Sequence, residues 1–229
     1  MGKYLDDRSR ASDPGSLTLS LAKLKALEPE LLTERRFKCG VTCNVDHPAA
    51  EMRERIAAQL QRGDSRAAVV VSLTPLVVAA YADDLDAVVL LRFAGELVAQ
   101  YRLAVGSRLL AVNTFSEQRG AKTGAMLYAV DLVPGPQRSG WSNFTPFIAE
   151  FLSDDIARIE ERKRQIGEPE WRTAAERAET RIARWGLGTA RSGKPTQAGV
   201  PIRRDGAHYF QALQVSPEKK SWWKRLLES

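Results

Sequence analysis

Between Ala67 and Phe93 three valine-rich apolar runs follow one another with almost nothing between them. Ala67–Leu73 and Leu76–Tyr81 are parted by Thr74-Pro75 alone. Ala87–Phe93 comes after the turn-forming Asp83-Asp84-Leu85-Asp86. Runs of this length and composition, bounded by turn residues, read as strands. Parallel neighbours need a crossover of a dozen or more residues, and no such length is present, so these strands must pair antiparallel. Two further strands are expected, at Ser107–Phe115 and Ala125–Val133, with the polar Ser116–Gly124 between them and Pro134-Gly135-Pro136 as a stop. The predicted fold class is α+β: a mostly antiparallel sheet of about five strands covered by helices.

The helical pattern lies on either side of this block. Leu17, Leu19 and Leu21 alternate, and the later spacing through Leu24 and Leu27 suits a short helix ending before Glu28 or Pro29. Asp46-His47-Pro48 opens a helix with Met52, Ile56 and Leu60 as its apolar stripe and Gly63 as its C-cap. Gly95-Glu96 leads into a helical stretch through Tyr101. Past Pro136 the apolar period changes. Thr145-Pro146 predicts the start of a long helix carrying Ile148, Phe151, Leu152, Ile156 and Ile159 and running to about Ile166. A second helix is expected from Pro169 to Gly186, with Trp171, Ala174, Ala175, Ala178, Ile182 and Trp185 buried. The two would form an antiparallel pair over 145–186. Four parts result: a disordered N-terminus over 1–16, a single domain over 17–186, a flexible linker over 187–215, and an amphipathic docking segment over 216–229.

The net charge of +6 is unevenly placed. From Arg191 to Ser229 eight Lys or Arg face three acids, so five of the six net charges belong to this basic tail. Met1–Ser16 is polar, without the apolar region of a secretory leader. The longest apolar stretches are too short and interrupted to span a bilayer. A cytoplasmic protein is therefore expected, with peripheral membrane contact open to the tail. In that setting the two cysteines, Cys39 and Cys43, do not predict a structural disulfide.

Four patterns bear on chemistry. Tyr81-Ala82-Asp83-Asp84, set between apolar strands, resembles the Tyr-x-Asp-Asp turn of reverse transcriptases. That resemblance implies magnesium bound by hard carboxylate oxygens. Asp83 and Asp84 are the candidate metal ligands, and Asp64 and Asp131 the core aspartates available as a third; neither lies in a matching motif. Ordinary turn chemistry explains adjacent aspartates equally well. Cys39, Cys43 and His47 give three ligand types without a close fourth, and Val41 and Val45 between them suit a buried strand. Gly188 to Lys194 approaches a phosphate-binding loop, but Pro195 stands where a hydroxyl is needed. Arg172, Arg177, Arg181 and Arg184 are accompanied by Glu168, Glu170, Glu176 and Glu179, the pattern of a self-paired solvated face.

The C-terminal segment carries the fullest signal. Ser216-Pro217 reads as a helix start, and at 100° per residue Trp222, Trp223, Leu226 and Leu227 share one apolar arc, with Lys224 and Arg225 mostly off it. A helix this short is marginal alone, so it is expected to fold on docking to its own core, to a partner groove or to an anionic membrane. We accordingly expect a non-catalytic regulatory or adaptor protein whose partner is another protein, held through those six residues. No cofactor is implied. The alternatives are a magnesium-dependent enzyme or nucleotide-binding protein centred on Asp83-Asp84, and nucleic-acid binding through the basic tail.

Overall fold

A computed structural model describes residues 11–32, 37–38, 46–47, 49–117, 132–133 and 141–201. The chain begins with helix α1 (Leu21–Leu27), a 3-10 turn (Pro29–Leu32), and a two-residue ladder of β1 (Phe37–Lys38) with β2 (Asp46–His47). Helix α2 (Ala49–Arg62) leads straight into β3 (Asp64–Leu73), β4 (Leu76–Ala82), a 3-10 turn (Asp83–Leu85) and β5 (Ala87–Phe93). Then follow α3 (Glu96–Gln100), β6 (Arg108–Glu117), β7 (Leu132–Val133), β8 (Trp141–Ile148) and a 3-10 turn (Ala149–Phe151). The described chain closes with α4 (Ile156–Gln165), α5 (Glu168–Trp185), a 3-10 turn (Leu187–Thr189), β9 (Arg191–Ser192) and β10 (Val200–Pro201).

The fold is mixed α+β. The main sheet runs β10-β8-β6-β3-β4-β5-β9, with β7 also on β6. β3, β4 and β5 form the predicted antiparallel meander. The sheet nonetheless departs from the expected one. It holds more than five strands, and at one edge β9 lies parallel to β5. The parallel edge and two of the extra strands come from 187–201, the start of the stretch expected to be linker; the third extra strand is β8. The 187–201 segment puts two short strands on the sheet and buries Ala198 completely.

Those two strands also fix the shape. Six gaps of about 4.8 Å would part the outermost strands of a flat sheet by about 29 Å. The chain from Ser192 to Val200 reaches about 28 Å only if fully extended, and a turn closed by Gln197 N–H on Lys194 O, at 2.9 Å, shortens it. The sheet therefore curls until its two edges approach one another.

Both faces of the central strands are covered. Alternate residues point to opposite sides. Ala68, Val70, Val78, Ala80, Val89 and Leu91 face a buried cluster that also holds Leu24, Met52, Ile56 and Leu60 from α1 and α2 and Phe115, Phe144 and Phe151. Ala67, Val69, Val77, Ala79, Val88 and Leu90 pack under Trp171, Ala174, Ala178 and Ile182 of α5. Two buried faces explain why these strands read as continuous apolar runs instead of an alternation.

The principal correction concerns 145–155. Thr145 and Pro146 do not open a helix; they lie inside β8, opposite Thr114 and Asn113 of β6. The spacing of Ile148, Phe151 and Leu152 suits a helix, but β6 offers a long edge of backbone N–H and C=O groups that must be paired. β8 pairs with it from Ala111 to Glu117. Helix α4 starts only at Ile156, which is exposed, while Ile159 is buried. Nor do α4 and α5 pack chiefly on each other: α5 lies on β3, β4 and β5, and α4 against β6 and the turn before it.

Several polar residues of α5 pair with groups outside the helix. Arg108 of β6 makes a two-pronged ion pair with Glu168, at 2.5 and 2.7 Å. Glu170 accepts the Ala67 N–H at 2.8 Å. Arg177 pairs with Asp86. Trp185, expected in the core, is half-buried, with the guanidinium carbons of Arg181 and Arg184 at 5.3 and 4.9 Å from its ring centroid.

At the N-terminus, Pro14 bridges Asp64, and residues 15–17 follow the last turn of α2. Gly63 joins α2 to β3 under tight constraint. A Cβ there would lie 2.6 Å from Gln59 O and 2.7 Å from Val112 Cγ1. Gly63→Ala is expected to lower stability by about 1–3 kcal/mol through overpacking at a backbone that has little room to move. Urea unfolding at neutral pH, read as the shift in midpoint at constant slope, measures it.

Candidate functional site

The antiparallel pairing of β3 and β4 sets the start of one strand beside the end of the other. In sequence these are Asp64-Ser65-Arg66 before the apolar run and Asp83 to Asp86 after it. Asp86 takes a left-handed conformation, φ 43°, which closes the turn into β5. The N-terminal segment adds Asp13, α5 adds Glu170, and α4 adds Arg162.

Arg66 is the centre of this cluster. Its Nη2 lies 2.6 Å from Asp64 Oδ2 and 2.8 Å from Asp83 Oδ2. Its Nη1 donates to Ser65 O at 2.8 Å and lies 3.5 Å from Asp13 Oδ2. Asp13 also approaches Arg162, at 3.8 Å. The Asp13 N–H donates to Asp64 Oδ1 at 3.0 Å. The side chains of Arg66 and Asp64 are 9% and 2% exposed, against 42% for Asp83. A guanidinium offers five donors in a rigid fork, which lets it serve several carboxylates at once.

Burial dominates the electrostatics. It pushes the Asp64 carboxyl up to about 7, with Asp83 and Asp13 adding to the rise, while Arg66 and the Asp13 N–H oppose it. Glu170 is raised for the same first reason, opposed by the Ala67 N–H and by Arg66. Burial, then Asp86 and Asp83, lift the Tyr81 hydroxyl to about 12. A second buried carboxyl, Glu150, accepts the Leu110 N–H with both oxygens and lies 3.4 Å from Lys163 Nζ. Burial raises it too. The Arg66 cluster thus gathers several carboxylates around one cation at the sheet end.

Among the sequence-predicted ligands, Asp83 is brought to Asp64, but around Arg66. Asp84 occupies the middle of the 3-10 turn, and its side chain is outside the description. Cys39, Cys43 and Asp131 lie outside the described residues, as do Trp222, Trp223, Lys224, Arg225, Leu226 and Leu227. Among the described residues no group of three or more His, Cys, Asp or Glu is placed to hold a metal ion. The phosphate-loop-like glycine Gly193 has a packing role: a Cβ on it would meet the Phe93 ring at 2.2 Å. Sequence reading missed Arg66, Asp13, Glu170 and Glu150. The available signal was a charge at the mouth of, or inside, an apolar run: Arg66 before Ala67, Glu150 between Ala149 and Phe151.

Among the described residues no helix is long and apolar enough to cross a membrane. Set against protein-family models, curated proteins and solved structures, the chain finds no match.

Replacing Arg66 by Met leaves Asp64 buried without its closest cation. The expected cost is about 3–5 kcal/mol at pH 8, above the pH at which Asp64 ionises beside Arg66. The variant raises the folded-state pKa of Asp64 further above its unfolded value. The penalty therefore shrinks as pH falls and the carboxyl takes up its proton. Urea unfolding of Arg66→Met and wild type at pH 5 and pH 8 reads both the size and the sign.

Proposed function

We propose that the chain is a non-catalytic regulatory or adaptor protein, located in the cytoplasm, whose α+β core presents a C-terminal docking segment to a partner protein. One observation carries this reading: at 100° per residue the sequence spacing of Trp222, Trp223, Leu226 and Leu227 puts them on one apolar arc, with Lys224 and Arg225 mostly off it. Large aromatics with a basic rim are the composition of an interface centre. The segment follows β10, which lies at an outer edge of the sheet.

The acidic turn bears on the magnesium alternative. Asp83 is engaged by Arg66, which it shares with Asp64 and Asp13. A carboxylate in that position is satisfied within the fold.

The test uses the full chain and its Trp222→Ala/Trp223→Ala variant in paired pull-downs, followed by titration of the captured protein. Loss of two anchor aromatics, each contributing about 2 kcal/mol or more, is expected to weaken binding by well over 100-fold. Equal capture by both chains overturns the role of the segment. Tryptophan-dependent binding to vesicles containing anionic lipid, without a protein partner, moves the segment to a membrane surface. Retention on nucleic acid that falls steeply with salt moves it to that ligand.

A further inference from the structure

The last two strands of the sheet lie on one short stretch of chain. β9 pairs with β5 through Arg191 on Leu91 and Ser192 on Arg92, and β10 with β8 through Val200 on Phe144 and Pro201 on Asn143. Between them Gly193 N–H donates to Arg92 O at 2.8 Å. Thr196 N–H donates to Glu28 Oε2 at 3.2 Å, and the Thr196 hydroxyl to Glu28 Oε1. Ala198 is buried in the main core. Residues 191–201 thus form a belt held by the body of the domain at both ends and in the middle.

These seats are particular to this sequence. A Cβ on Gly193 would lie 2.2 Å from the Phe93 ring, so that seat takes a glycine. Both oxygens of Glu28 are served by the backbone and side chain of one threonine. A foreign segment without glycine and threonine at this spacing fits poorly, whereas the belt of a second copy fits as well as the protein's own.

The belt is joined to the elements before it through residues 186–190, and among the described residues no helix or strand follows β10. Gly186 takes φ 72°, and a Cβ on Gly186 or Gly188 would meet nothing within 4 Å. Thr189 N–H on Gly186 O and Ala190 N–H on Leu187 O are bonds internal to this connection. Leu187 and Ala190 rest partly buried on the core beneath α5, and drawing them off it is the cost of opening.

We propose that two copies of this chain exchange belts through this connection, each closing the other's sheet, so that an exchanged dimer stands in equilibrium with the monomer.

Exchange keeps the contacts of the belt and changes only the body with which they are made. What remains is the opened connection, set against the lost independent motion of two chains. A short tether holds the belt beside its own body at an effective concentration on the order of 1 mM. The dimer is therefore populated as the protein nears that concentration, and dilution favours the monomer. Both belts must detach before the forms interconvert, so each form persists once made.

The test uses two full-length variants in a Cys39→Ser/Cys43→Ser background, one carrying Arg92→Cys and the other Ser192→Cys. The two positions are opposite one another on neighbouring strands. Such strands lie about 4.8 Å apart, inside the range of roughly 4.4–6.8 Å between Cα atoms that a disulfide spans. Equal amounts are mixed, refolded at about 0.5 mM to approach the effective concentration of the tether, and oxidised with oxidised glutathione. Mass spectrometry of the non-reduced chains then counts covalent dimers. Exchange sets each new thiol beside that of the other variant alone, so mixed dimers are expected to outnumber like-with-like dimers by about tenfold or more. Chance collision gives equal numbers of mixed and like dimers; that ratio, or no covalent dimer, overturns the proposal. If the variants fail to fold, or a single chain carrying both substitutions fails to close the pair, light scattering on the wild type decides. Refolding at about 0.5 mM to a dimer that survives rapid hundredfold dilution and reverts slowly supports exchange. Monomer alone, or a dimer that separates at once, overturns it.

Discussion

A strand buried on both faces can place charge only at its ends. β3, β4 and β5 are buried on one face in the cluster that also holds residues of α1, α2, β6 and β8, and on the other under α5, so none of their middle positions can hold an ion at tolerable cost. The charged residues flanking these apolar runs therefore gather at the strand ends. Antiparallel pairing then brings Asp64 and Arg66 at the start of β3 to Asp83 and Asp86 at the end of β4. The Arg66 cluster is a direct outcome of that packing. Its buried carboxyl and its shared guanidinium follow from the same demand.

α5 answers a related demand. Its buried face is partly built from Ala174 and Ala178, small side chains that allow close approach to the sheet but give little grip against sliding. Glu168 on Arg108, Glu170 on the Ala67 N–H and Arg177 on Asp86 hold it at three points along its length. These contacts set where the helix sits, and the tryptophan and alanines beneath it supply the apolar contact.

The parts legible in sequence are those where one signal dominates. The β3–β4–β5 meander was readable because its connections leave only one pairing. The α2 stripe of Met52, Ile56 and Leu60 was readable because its period and its flanking Pro48 and Gly63 agree. β8 was not, because Ile148, Phe151 and Leu152 satisfy a helical period while the need that decides their conformation lies on β6, some thirty residues earlier by sequence number. The strands at 191–192 and 200–201 were hidden for a similar reason: two residues carry no period, and Gly, Ser and Pro there read as linker. At the candidate site, Asp83 and Asp64 were visible as residues but not as neighbours of one arginine. A single cation beside a turn has no sequence signature, and the contribution of Asp13 depends on the course of a segment that reads as unstructured.

The segment from Arg191 to Pro201 has a consequence of its own. Exposed strand edges are templates for pairing with other molecules, and folded proteins protect them. Here the two outermost strands of the sheet are neighbours along the chain, so one short segment guards both flanks. Thr196 ties its middle to Glu28 at the end of α1, and Phe93 leaves room for Gly193 alone. Protection of the two edges is therefore not independent. Loosening this one stretch would uncover β5 and β8 together, and the same event that opens the curl would present two sticky borders to any neighbouring chain.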